Sequence, residues 1–116
     1  MKIEGTVIRG QQLGRKLGFP TANMDAEGLP VDNGVYASTV ELEGEHFRAM
    51  SNVGVRPSVD GKRRLLETYI FDFDGDLYGK CIVVELQQKI RDERKFASVD
   101  ELKERLHIDA AHIRNL

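Results

Sequence analysis

Residues 35 to 53 read Val-Tyr-Ala-Ser-Thr-Val-Glu-Leu-Glu-Gly-Glu-His-Phe-Arg-Ala-Met-Ser-Asn-Val. Val35 to Leu42 is rich in Val, Tyr and Thr, side chains that suit a pleated, half-buried surface. Glu43-Gly44-Glu45 interrupts the run, and His46 to Val53 returns with Phe47, Ala49, Ser51 and Val53 on one face. Two such runs joined by a short glycine-containing link read as a β-hairpin. Asn33-Gly34 marks a turn ahead of it, and Gly54-Val55-Arg56-Pro57 is expected to end it.

The reading extends in both directions. Lys2 to Arg9 alternates, with Ile3, Gly5 and Val7 on one face. Leu65 to Phe71 is a further strand, and Asp74-Gly75 turns into Tyr78 to Ile90, where Ile82, Val84 and Leu86 share a face. The period then changes. Val99, Leu102, Leu106, Ala110 and Ile113 recur at helical spacing, and Ser98 with Glu101 three residues later fits a capping box. The helix is expected from about residue 98, with His107 to Asp109 as a place where it could break. Five or six short strands followed by one helix predict an all-β fold, a small barrel with a helix packed on its outside or end.

The 116 residues read as one domain, 1–116. A chain of this length buries roughly two thirds of its unfolded surface and needs no covalent staple. Its single cysteine, Cys81, excludes an internal disulfide and suits a reducing compartment. No apolar run approaches the ~20 residues of a membrane span, and the start lacks an apolar signal segment, so a cytoplasmic location is expected. With 17 basic and 19 acidic residues the net charge is −2, which argues against a dedicated nucleic-acid module. The short run Lys62-Arg63-Arg64 is expected in a solvated loop.

Residues 14 to 23, Gly-Arg-Lys-Leu-Gly-Phe-Pro-Thr-Ala-Asn, combine two glycines, two cations and two neutral oxygen donors. Two readings fit. One is a plain Gly/Pro-rich turn between strands. The other is a loop whose backbone approaches an anion, with Arg15 and Lys16 supplying charge and Thr21 and Asn23 offering oxygens to a hard cation such as Mg²⁺. Glu67 is the second candidate. It shares a strand face with Leu65, Tyr69 and Phe71, where a carboxylate is costly without a partner. Burial there would raise its pKa toward that of a useful base; alternatively the other face is the buried one and Glu67 sits in water.

Other motifs fail. There is no Gly-x-x-x-x-Gly-Lys phosphate loop and no Gly-x-Gly-x-x-Gly in a βα setting. The acidic run from Asp72 is no calcium loop, because Leu77 and Val83 stand where Gly and Glu are required. His46, His107 and His112 have no metal spacing with Cys81.

Taken together, the motifs resemble the riboflavin kinase family, especially the kinase half of bacterial bifunctional flavin-nucleotide enzymes. The likeness runs through Gly5-Thr-Val-Ile-Arg-Gly10, Leu13 to Asn23, Leu29-Pro30, Gly34-Val-Tyr-Ala37 and Ala49 to Pro57. It continues through Glu67, Phe73 to Gly79 and Ile90 to Phe96. Pro20-Thr-Ala-Asn23 is the most specific element. The resemblance implies a six-stranded Greek-key β-barrel with a C-terminal α-helix. It implies transfer of the γ-phosphoryl of ATP to the 5′-hydroxyl of riboflavin, giving FMN and ADP with Mg²⁺ as cofactor. It implies riboflavin/FMN and ATP/ADP as partners; charge and apolar content lead to no nucleic acid and no membrane being expected, and a monomer is expected.

By the same resemblance, Thr21 and Asn23 hold Mg²⁺, and Thr21 also meets the nucleotide phosphates. Gly10 and Arg15 line the nucleotide loop, Arg15 standing where some relatives have lysine. Tyr78, with the backbone around Ile70 and Asp72, borders the adenine nucleotide. Glu67 is the catalytic carboxylate and touches the flavin, and Arg91 and Arg94 lie in the segment that closes over it. Ser58-Val59 departs from the Thr-Phe usual after Arg-Pro, which affects packing more than chemistry. The 116 residues leave no room for an adenylyltransferase half, so FAD synthesis is not expected. A non-catalytic flavin- or nucleotide-binding module on the same barrel is the alternative. A small barrel for single-stranded nucleic acid is weaker still, given the net charge and few aromatics.

Overall fold

A computed structural model describes residues 1–8, 21–58, 61–73, 75 and 77–116. Its strands are β1 (Lys2–Thr6), β2 (Thr21–Asp25), β3 (Gly34–Leu42), β4 (Glu45–Ser58), β5 (Gly61–Ile70) and β6 (Cys81–Arg91). One helix, α1 (Val99–Arg114), follows. All strand pairs are antiparallel, in the order β1-β6-β3-β4-β5-β2. Strands β3, β4 and β5 form a meander and β6 returns beside β3, which is a Greek key. The sheet curls until its edges meet: Ile8, just past β1, bridges Asn23 of β2, and the Ile8 N–H donates to the Asn23 carbonyl at 2.7 Å.

The β3–β4 hairpin forms as its sequence predicts. Leu42 pairs with Glu45, so Glu43 and Gly44 make a two-residue turn, and both have positive φ, 51° and 83°. Turns of that handedness match the twist of the flanking strands.

Alternation sorts each strand between two buried layers. Ala22, Met24, Val40, Val53, Leu66, Ile70, Ile82 and Val84 pack inside the barrel. Polar groups there are satisfied: the hydroxyls of Ser38, Ser51 and Thr68 link in a chain of 2.8 and 2.9 Å contacts. The opposite face of β3, β4 and β5 presents Val35, Ala37, Met50, Tyr69 and Phe71 to Leu106, Ala110 and Ile113 of α1.

Several expectations are corrected. Thr21 to Asn23 were expected in a loop but belong to β2; Ala22 and Met24 are buried, and the alternation is hidden by its brevity. The rest of that expected loop, Gly14 to Pro20, lies outside the described residues, as do Gly10, Arg15, Val59 and Asp74. Strand β4 runs on through Pro57 to Ser58 instead of ending at Gly54. Pairing with β3 stops at Val53, so Pro57 has β5 alone as a neighbour, and an edge tolerates proline. Lys62, Arg63 and Arg64 lie in β5, not in a loop. The Arg64 guanidinium donates to the carbonyls of Ala26, Leu29 and Val31 and to Asn33 Oδ1, tying down the β2–β3 connection. β6 starts at Cys81 rather than Tyr78, because Leu77 to Lys80 closes a turn with a 3.0 Å bond from Lys80 N–H to the Leu77 carbonyl.

Helix α1 is unbroken through His107 to Asp109. Ser98 caps it, accepting from the Glu101 N–H at 3.1 Å, while Glu101 Oε2 accepts from Ala97 N–H at 3.0 Å. Val99, expected on the apolar stripe, is 56% exposed. Two contacts fix the helix to the sheet. Arg48 of β4 donates to the carbonyls of Ile113 and Arg114, where the helix dipole favours a cation. Asp109, 1% exposed, accepts from Arg91 at 2.8 and 3.0 Å and from Arg105 at 3.1 Å.

Asp109→Ala leaves two guanidiniums facing a gap under the helix. It is expected to cost about 3 kcal/mol, the scale of breaking a buried ion pair. Urea unfolding checks this, and a loss under about 0.5 kcal/mol would show that the clamp contributes little.

Candidate active site

Strand register places one row of side chains across five strands. Asn23 of β2 pairs with Glu67 of β5, and Glu67 pairs with Asn52 of β4. Asn52 pairs with Val35 of β3, which pairs with Arg91 of β6. Paired positions point to the same side of a sheet. The row therefore lies on the outer face, opposite the barrel interior. The next row carries Thr21, Tyr69 and Met50.

A cleft opens over these rows. Met50 and Tyr69 contribute to its sheet side, Leu102 and Leu106 to its helix side, with Phe96 and Arg94 from the segment between β6 and α1. It encloses about 160 Å³, an order of magnitude more than the ~10–15 Å³ that admits one water. The Phe96 ring lies 5.9 Å from the Arg91 guanidinium and 5.4 Å from that of Arg94. Asn52, Glu67 and Arg56 make its polar wall.

Glu67 lies on a covered face, although the opposite face of β5 is buried too: Leu66 and Thr68 are fully enclosed by the barrel. Its Oε1 sits 2.8 Å from Arg56 NH2, while Arg56 NH1 donates to Glu93 Oε1 at 2.8 Å. One guanidinium thus serves two carboxylates. The Arg56–Glu67 contact is an ion pair whose geometry falls short of a well-aligned hydrogen bond, so Glu67 Oε1, though engaged by Arg56, keeps room for a further donor. Asn52 Oδ1, on the neighbouring strand, is buried without a hydrogen-bond partner. Burial pushes the Glu67 carboxyl above its ordinary pKa; Arg56 opposes this, chiefly by its charge, and the Glu93 charge adds to it. Burial, reinforced by the Glu67 charge, also raises the Tyr69 phenol.

The structure brings Asn23, Glu67 and Arg91 into one row, sets Thr21 beside Tyr69, and puts Arg94 at the cleft. It does not bring Ile70, Asp72 or Tyr78 into the cleft lining. The Ile70 side chain is buried in the barrel core. Asp72 has φ 57° and pairs with Arg114 at 3.1 Å, and Tyr78 is half exposed. Arg91 is committed to Asp109 as well as lining the cleft. Sequence reasoning missed Arg56, Asn52, Glu93 and Asp109. Arg56 and Asn52 stood inside a quoted motif, but their partnership with Glu67 depends on the β4–β5 register.

A family model described as riboflavin kinase (Flavokinase) matches residues 1–116. The chain belongs to the riboflavin kinase family. It is 42% identical over 118 residues to the bifunctional riboflavin kinase/FMN adenylyltransferase of Pseudomonas fluorescens, covering 99% of this chain and 38% of that one. It is 43% identical over 108 residues to a Bacillus subtilis protein named RNA-binding riboflavin kinase RibR, covering 92% of this chain and 47% of that one. The crystal structure of riboflavin kinase from Trypanosoma brucei matches with a TM-score of 0.68 at 25% identity, over 98% of this chain and 77% of that one. The chain spans less than half the length of the two bacterial relatives. The antiparallel barrel and C-terminal helix expected from the resemblance are thus borne out. Among the described residues no helix is long and apolar enough to cross a membrane.

In Arg56→Met, Glu67 keeps its burial and loses its cation, so its pKa is expected to rise further. A carboxyl with a higher pKa folded than unfolded holds its proton more tightly in the native state. That stabilisation is complete below the unfolded value of about 4.3 and is lost as pH rises through the folded value. The variant should therefore lose stability over a wider pH window than the wild type. Carboxyl ¹³C titration of Glu67, with urea midpoints at about pH 4 and about pH 8, measures both. An unchanged Glu67 midpoint would contradict the role given to Arg56.

Proposed function

We propose that the chain is a riboflavin kinase that transfers the γ-phosphoryl of ATP to the 5′-hydroxyl of riboflavin, releasing FMN and ADP. The observation that carries this is the largely buried carboxylate of Glu67, its Oε1 enclosed and paired with Arg56, on the wall of a cleft large enough for part of a ring system. Family membership supplies the identity of the substrate. Phosphoryl transfer is mainly positioning and charge stabilisation. An alcohol is a poor nucleophile at neutral pH, and a carboxylate within hydrogen-bond reach orients it and accepts its proton as the P–O bond forms. Glu67 takes that role. A strand fixed on both sides places it more firmly than a loop would.

Thr21 and Asn23 fit a hard cation by donor chemistry. Both alternate outward from β2, both carry neutral oxygens, and Asn23 is 5% exposed beside Glu67. Mg²⁺ that arrives with phosphate oxygens needs few protein ligands. When bound, Mg²⁺ neutralises phosphate charge. Phe96 and Arg94 are assigned to cover the flavin, excluding water, with Arg91 holding that segment's base to α1 through Asp109. Ile70, Asp72 and Tyr78 remain assigned to the adenine side, and Gly10 and Arg15 to the nucleotide loop. The partners proposed are riboflavin/FMN and ATP/ADP, with the chain acting as a monomer and without nucleic acid.

Incubation with riboflavin and MgATP should give FMN on HPLC. Tight riboflavin binding without FMN would instead indicate a binding module. Glu67→Gln should bind riboflavin while turnover falls at least ~10²-fold; near-normal turnover would remove Glu67 as the base. Because burial raises the Glu67 pKa, the acidic limb of kcat/KM should lie above about 4.3 and vanish in Glu67→Gln.

A further inference from the structure

Two side-chain acceptors among the described residues are buried without a well-aligned hydrogen bond, Asn52 Oδ1 and Glu67 Oε1; Glu67 Oε1 has the Arg56 ion pair, and Asn52 Oδ1 has no such partner. Both line the same cleft, from directly paired positions on β4 and β5. An unmet buried acceptor is costly, and native structures keep few of them. Asn52 Oδ1, orphaned at the wall of an open cleft beside the Glu67 carboxylate, indicates a donor that arrives with a ligand.

We infer that Asn52 is a specificity-determining residue that accepts a hydrogen bond from the polyol chain of the substrate, beside the hydroxyl handled by Glu67. Paired side chains on adjacent strands lie about 4.5–5.5 Å apart at Cβ. A chain bearing hydroxyls on successive carbons offers donors on that scale. Val35, Met50, Phe96, Leu102 and Leu106 give the cleft an apolar lining that suits a ring, and Tyr69 adds its phenol on the sheet side. Arg56 and Arg94 are donors and cannot satisfy a hydroxyl donor. Its place beside Glu67, which takes the terminal hydroxyl, puts Asn52 at the polyol rather than at the ring N–H.

This deepens the riboflavin reading and rests on it. The probes are riboflavin and lumiflavin, which share the ring system but differ in the polyol chain. Fluorescence quenching measures both affinities. Asn52→Leu keeps the side-chain shape and removes the acceptor. It should weaken riboflavin binding at least about fivefold and change lumiflavin binding less than about twofold. Asn52→Thr, which restores an oxygen on a strand-favouring side chain, should recover part of the loss. Equal loss for both ligands, or no loss for riboflavin, would overturn the inference. In the wild-type protein, riboflavin should shift the Asn52 side-chain ¹³Cγ resonance and lumiflavin should not; equal shifts would also overturn it. Failure of the wild type to bind either flavin would instead overturn the riboflavin reading itself.

Discussion

The register of β5 between β2 and β4 is the constraint on which the site depends. Leu66 and Thr68 point into the barrel and are fully buried, while Glu67 and Tyr69 point to the outer face, Tyr69 beneath α1. A slip of one residue exchanges these faces. It would put the Glu67 carboxylate among Ala22, Val53 and Ile70 with no cation, and Leu66 beside Arg56. It would also break the hydroxyl chain from Ser38 through Ser51 to Thr68 inside the barrel. The interior hydroxyls and the exterior carboxylate therefore select the same register. Pairing on both sides of β5 then aligns Asn23, Glu67 and Asn52 without further instruction.

Holding a carboxylate on that face requires a cation, and Arg56 supplies it from the extension of β4 past the end of β3. The same guanidinium reaches Glu93 in the segment leading to α1, so it joins the sheet to the cover of the cleft. Gly54 makes room for this. A Cβ there would meet Glu93 Oε1 at 2.0 Å, so any side chain at that position would push Glu93 off Arg56. Sharing also explains the direction of the Glu67 shift. A fully committed arginine would hold the carboxylate down, whereas a misaligned contact and a second carboxylate let desolvation prevail.

What the sequence disclosed follows from the range of each interaction. The Glu43-Gly44 turn, the Ser98 cap and the alternation of β6 are set by residues within a few positions, and all appear where local chemistry places them. Glu67 was visible as a carboxylate on an apolar face. Strand β2 was not, because five residues with three buried in succession, one of them the polar Asn23, give no alternating pattern beside Pro20. Asp109 resembled a helix break because its partner Arg91 lies on another element; Arg105 alone, one turn earlier, was the local sign. Arg64 was read by composition as a solvated cation, yet its role depends on carbonyls more than thirty residues away. Arg56 and Asn52 gain meaning only when β4 is laid against β5.

The position of the cleft follows from the size of the barrel. A closed sheet of six strands fills its interior with its own side chains, as Val40, Leu66, Ile82 and Val84 do here. Substrate chemistry is thereby confined to the outer face or the rim. The outer face of β3, β4 and β5 is apolar at the α1 end, where Phe71 and Ala37 meet Ala110 and Ile113, and polar toward Asn52, Glu67 and Arg56. The helix covers the first part and stops short of the second. Its N-terminal half contributes Leu102 and Leu106, leaving an apolar slot that ends in the acceptors of Asn52 and Glu67. An amphipathic ligand, apolar at one end and rich in hydroxyls at the other, is the shape and chemistry that such a gradient selects.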